Sequence, residues 1–166
     1  MTRSDSSSSE RYMEHYAAAL REPMAWFHLD SDFLDDPKIM RLGFEDGWAA
    51  IGIYVALMSR LAREDSHIFD VSTEYGWKVL QSRMALVGGE MDAEDLKAVV
   101  SKFAALGLID SEMYAESRKI ASDRLMREVE NYADRTARKR CAGDTMREAK
   151  RRKGEERRMK ESSGFT

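Results

Sequence analysis

The chain holds 166 residues, 43% hydrophobic and 34% charged, with a formal net charge of −3. That length suits one domain with appendages; two prolines and ten glycines exclude a collagen-like or low-complexity chain, and a single cysteine, Cys141, excludes an intrachain disulfide framework and fits a reducing compartment. No apolar run approaches the ~20 residues that a membrane span needs, and the opening MTRSDSSSSE has no signal-peptide core, so a cytoplasmic protein without membrane contact is expected.

In chain order, residues 1–9 read as a disordered polar lead. A short helix follows over 10–22, with Tyr12, Tyr16 and Leu20 on one stripe and Pro23 ending it. Asp35 or Asp36 before Pro37 marks a helix start, with Ile39, Met40, Leu42 and Phe44 as its apolar side. After Gly47, WAAIGIYVALMSRLARE predicts a long buried helix through Trp48, Ile51, Tyr54 or Val55, Met58 and Leu61, in which Gly52 implies a close neighbour. HIFDVS alternates like a short strand. Ser72 or Thr73 starts a helix to about Leu86 with Trp77, Leu80 and Met84 inward, and a turn is expected at Val87-Gly88-Gly89.

MDAEDLKAVVSKFAALG carries the clearest helix signals. Asp92 caps it with Asp95 at the third helical position, Leu96, Val99, Val100, Phe103 and Leu106 form its stripe, and Gly107 ends it. Leu108–Asp110 and Arg118–Ala121 read as a hairpin around SEMYAES. Ser122 or Asp123 then caps a helix through Leu125, Val129 and Tyr132, which loses its apolar stripe after about Arg135 and continues as a solvated helix or a disordered arm.

Helix, strand, helix, turn, helix, hairpin is the order of a winged helix-turn-helix. The expected fold is mainly α (α+β), a winged-helix domain over 24–121 with a small β-hairpin wing, followed over 122–166 by a long basic C-terminal helix or arm. The segments WFHLDSDFLDDPKIMRL, DGWAAIGIYVALMSRLARE, LKAVVSKFAALGLID and KIASDRLMREVENYADRTARKR resemble, in that order, the N-terminal winged-helix domain of phage replication initiators and replisome organisers. These phage or prophage proteins are related in fold to the N-terminal domain of the DnaD primosomal proteins. The resemblance covers roughly residues 24–155 and implies DNA binding or primosome assembly, with helicase or helicase-loader proteins as partners and no catalysis. Residues 1–22 precede the usual start of such domains.

Charge is distributed unevenly. Residues 1–134 carry 15 Lys/Arg against 25 Asp/Glu, net −10, whereas residues 135–166 carry 12 against 5, net +7. An acidic body with a basic tail is a pattern associated with polyanion partners. In the expected recognition helix the outward polar residues are Lys97, Ser101 and Lys102, suited to phosphate contacts, with no Arg, Asn or Gln for bidentate base reading. Lys78 and Arg83 on the preceding helix, and Arg118 and Lys119 on the expected wing, extend that set. The tail adds Arg135, Arg138, Lys139, Arg140, Lys150, Arg151, Arg152 and Lys153, a density that supplies salt-dependent affinity through counterion release.

His28, Asp30, Asp32, Asp35 and Asp36 lack the spacing of a calcium loop and read better as caps and linker. Neither a phosphate loop, a nucleophile elbow nor a zinc motif is present in the sequence, so no enzyme, metal or cofactor is expected. Three functional readings stay open from sequence: a replication DNA-binding protein, a homo-oligomerising interaction module that pairs through Tyr12, Tyr16, Leu20 and the apolar start of the last helix, and a winged-helix transcriptional regulator.

Overall fold

Asp36 accepts a hydrogen bond from the Lys38 amide at 2.8 Å, and Pro37 takes the first helical position, where its missing N–H costs nothing. This start is one of several local signals that shape the chain, which a computed structural model describes over residues 3–88 and 91–163. The elements in order are α1 (Arg3–Ala19), a 3₁₀ turn (Phe33–Asp35), α2 (Pro37–Arg63), a second 3₁₀ turn (Asp65–His67), β1 (Phe69–Asp70), α3 (Glu74–Gly88), α4 (Ala93–Ala105), α5 (Ser111–Ser117), β2 (Lys119–Ile120) and α6 (Asp123–Ser163). The protein is mainly α-helical with one two-stranded antiparallel sheet among the described residues. No helix among those residues is long and apolar enough to cross a membrane.

The chain divides into two units, Arg21–Glu130 and the two terminal segments, up to Leu20 and from Asn131 on. In the first unit the core gathers Leu57 and Leu61 of α2, Leu80 of α3, Leu96, Val100 and Phe103 of α4, and Ile120 of β2, none more than 1% exposed. Tyr54 stacks on Phe33 at 6.3 Å and meets the Phe103 ring edge-on at 5.4 Å, geometries that add to simple area burial. Asp92 caps α4 through the Asp95 amide at 2.8 Å. Beyond it Gly107, at φ 64°, lets the Leu108 amide reach back to the Phe103 carbonyl at 2.9 Å, a left-handed helix terminus that favours glycine.

The sheet differs from the expected hairpin. SEMYAES is helix α5, capped by Asp110 through the Met113 amide at 2.8 Å, with Tyr114 buried beneath it. The expected strand at Leu108–Asp110 does not form; β2 pairs with β1 instead, Phe69 opposite Ile120 and Asp70 opposite Lys119. A single backbone bond, from the Asp110 amide to the Ala121 carbonyl at 2.9 Å, joins the two arms of the expected hairpin. The cap at Asp110 and the burial of Tyr114 favour a helical turn over an open loop. Only Phe69–Asp70 of HIFDVS is a strand, because Asp65–His67 closes into a 3₁₀ turn.

Three expectations for α2 and α3 are also corrected. Phe44 and Trp48, expected inward, are 85% and 74% exposed, with Met40 also exposed. Gly47, at φ 78° and ψ −178°, kinks α2 between the two aromatics; at 100° per residue Phe44 falls roughly opposite the buried Ile39 and Leu42, and Trp48 falls outside the arc of Ile51, Tyr54, Met58 and Leu61. Gly52 faces open space, and the close approach occurs at Gly76, where a Cβ would lie 2.5 Å from the Asp70 carbonyl oxygen. Gly88 belongs to α3, and Gly89 of the expected turn lies outside the described residues.

In the second unit α1 begins at Arg3, seven residues before the expected start and inside the lead read as disordered. A docked helix extends readily past its packed turns because propagation is cheap once nucleation is done. Tyr12 donates to the Asp134 carboxylate at 2.6 Å, His15 meets Asp144 at 2.9 Å, and Arg11 pairs with Glu148 at 2.6 Å. The adjacent residues Arg11 and Tyr12 thus reach partners about four turns apart on α6, so α1 crosses that helix. Tyr12, read from sequence as a contact to a second copy, is engaged within its own chain.

Candidate nucleic-acid interface

Two surfaces carry the sequence-predicted contacts, and the structure treats them differently. On α4, Lys97 Nζ sits 2.9 Å from Glu94 and 3.0 Å from Glu74 and lies over the Trp77 ring. Lys102 Nζ sits 2.7 Å from Asp46 and 2.8 Å from Glu45. Hydrogen bonds to these carboxylates raise both ammonium pKa values. Glu45, held first by Arg41 and then by Lys102, is lowered to about 2. Each lysine therefore shares its charge with two carboxylates of its own chain. Ser101 meets the Tyr114 hydroxyl at 3.1 Å, leaving the outer face of α4 with little uncommitted positive charge.

The neighbouring candidates differ among themselves. Arg83 pairs with Glu64 and lies over the Phe69 ring. Arg118, at φ 53°, sits over Tyr114, and Lys119 is exposed on β2 beside Asp70. Lys78 is exposed on α3. Between α2, α4 and the start of α6 lies a cavity of about 590 Å³ bordered by Asp30, Asp36, Lys38, Tyr54 and Arg124. There Arg124 pairs with Asp30 at 2.6 Å and Lys38 donates to the Gly107 carbonyl at 2.6 Å; these bonds knit the helices together.

Helix α6 presents the second surface. It remains helical to Ser163, which resolves the choice between a helix and a disordered arm. Ala133 and Ala137 are fully buried, and Asp134 and Asp144 have lowered pKa values, chiefly through hydrogen bonds from Tyr12 and His15. Arg135 donates to the Asn131 carbonyl and Arg138 pairs with Asp134; Lys139 is exposed and Arg140 half-buried. From Thr145 to Glu161 every residue is exposed. Lys150, Arg151, Arg152 and Lys153 stand there with Arg147, Arg157 and Arg158, and Arg151 lies 3.6 Å from Glu155. In this part of the predicted set, cations outnumber the acids around them.

The sequence did not show that four carboxylates of the same chain hold Lys97 and Lys102. Glu94 lies three residues before Lys97 on the same helix; Glu74, Glu45 and Asp46 come from other helices.

The fold and surface together define a mainly α-helical protein with a small antiparallel sheet and an exposed basic helix. The chain belongs to the Lin1244/Lin1753-like, N-terminal family, whose sequence model matches residues 26–125. No curated protein and no solved structure matches it. The matched stretch ends near the start of α6, so the basic segment lies beyond it.

Proposed function

We propose that this protein binds DNA through the distal half of α6 and acts in phage- or prophage-type replication initiation or replisome organisation, in the cytoplasm and without catalysis. The carrying observation is the exposed run from Thr145 to Glu161, dense in Lys and Arg, on a helix that α1 bonds at Asp134, Asp144 and Glu148. Such a run gains affinity by releasing counterions from the phosphate backbone. The residue 21–130 unit is read as a winged-helix body in which α5 replaces the hairpin tip. Its element order, with β2 returning to β1, supports that reading. The body then positions the grip or receives replication proteins such as a helicase or its loader, since its net charge disfavours non-specific DNA contact.

The test replaces Lys150, Arg151, Lys153, Arg157 and Arg158 with Gln and measures DNA affinity across salt. Each phosphate that is no longer neutralised flattens the log–log salt slope by about 0.9, so the slope is expected to shrink by up to about 4.5 and the affinity to collapse. Unaltered binding would sink the proposal.

A further inference from the structure

We infer that the distal half of α6 lies lengthwise in the major groove of double-stranded B-form DNA. This rests on the proposed function and names the polymer that the same surface takes. Residues 150–153, Lys-Arg-Arg-Lys, are followed seven positions later by Arg-Arg-Met-Lys at 157–160, so three rows of basic residues form at a heptad spacing: Lys150 with Arg157, Arg151 with Arg158, and Lys153 with Lys160. At 3.6 residues per turn the first row lies between the other two, which diverge by about 160° around the helix. Asp144, which bonds α1, begins the row of Arg151 and Arg158, and the row of Glu148 and Glu155 borders it on the side away from Lys150.

That distribution fits a ligand with phosphates on two walls. A helix about 10–12 Å across fills the B-form major groove, about 12 Å wide. The outer rows then reach the two backbones, while Lys150 and Arg157 face base edges, where an arginine can donate two bonds to guanine. A single strand brings only one phosphate row and is usually gripped with aromatic stacking. Residues 145–163 contain no aromatic. The A-form major groove is too deep and narrow for side chains to read, which sets duplex RNA apart.

The experiment compares binding of the full chain to a labelled DNA duplex, to one of its strands and to the matching RNA duplex, at about 0.15 M salt. Tightest binding to duplex DNA is expected. Two variants leave the charge unchanged. Gly154→Pro breaks the helix between the two heptads and should weaken duplex binding about tenfold by uncoupling the second basic cluster from the first, with single-strand binding unchanged. Gly154→Ala, at an open position, should keep the duplex preference. Equal affinity for all three polymers, or Gly154→Pro binding duplex as tightly as the parent, overturns the inference. Loss of binding in the five-residue Gln variant alongside either result leaves the proposed function standing and this inference refuted, so the two failures are distinguishable.

Discussion

Two glycine-to-alanine changes should move stability in opposite directions. At Gly76 the added Cβ would lie 2.5 Å from the Asp70 carbonyl oxygen and 3.1 Å from Val71 Cα. Those are backbone atoms of a segment that cannot yield freely, because β1 pairs with β2 and the Val71 amide bonds the Arg118 carbonyl at 2.9 Å. Alanine gains about 1 kcal/mol of helix propensity, while overpacking against a fixed wall costs about 1–3 kcal/mol, and a 2.5 Å approach belongs at the upper end. The net expectation for Gly76→Ala is a loss of about 1–2 kcal/mol, which lowers Tm by roughly 2–8 °C. Gly52 also lies inside a helix, yet its Cβ would meet nothing within 4 Å. Gly52→Ala should therefore gain about 0.5–1 kcal/mol. Thermal and urea unfolding followed by circular dichroism read both. The reasoning fails if Gly76→Ala is as stable as the parent or if Gly52→Ala is the weaker of the two.

Stability should fall on mild acidification because of His67, which is fully buried with Nε2 unpartnered. Burial lowers its pKa below the ordinary histidine value of 6.5, so the unfolded chain binds the proton more readily. The full contribution is present above about pH 6.5 and is lost below it, by at most about 1.4 kcal/mol per pH unit, until the lowered folded pKa is reached. Urea midpoints at successive pH values should show this slope, and His67→Gln should flatten it. Phe44→Ser and Trp48→Ser should each change stability by no more than about 0.5 kcal/mol, while Phe103→Ala should cost about 3–5 kcal/mol; a large loss at Trp48 would place that ring in the core. Replacing Lys97 and Lys102 together with Gln should leave DNA affinity within about twofold, since exposed ion pairs within the chain contribute only about 0–1 kcal/mol each; a marked fall in affinity would return α4 to the interface.

What could be read from the sequence was what neighbouring residues decide among themselves. Asp36 with Pro37, Asp92 with Asp95, and Gly107 past α4 mark their helix ends through bonds within a few positions. The helix in SEMYAES was hidden because seven mostly polar residues resemble a turn, and its signs are the Asp110 cap together with the burial of Tyr114. The sheet escaped because Phe69 pairs with Ile120, a partner no local pattern indicates. Trp48, read as inward at the head of the helix after Gly47, falls at about 100° per residue outside the arc of Ile51, Tyr54, Met58 and Leu61. At the interface, composition revealed the basic tail, whereas the carboxylates of α2 and α3 that occupy Lys102 and Lys97 become visible only once the helices are packed.

The central claim is that DNA touches the exposed end of α6. Photo-crosslinking the full chain to duplex DNA and mapping the linked peptides tests it most directly. The account predicts adducts concentrated between Arg147 and Lys160, with few on the α4 face that holds Lys97, Ser101 and Lys102. Adducts gathered on α4 or β2, with residues 147–160 unmodified, would contradict it.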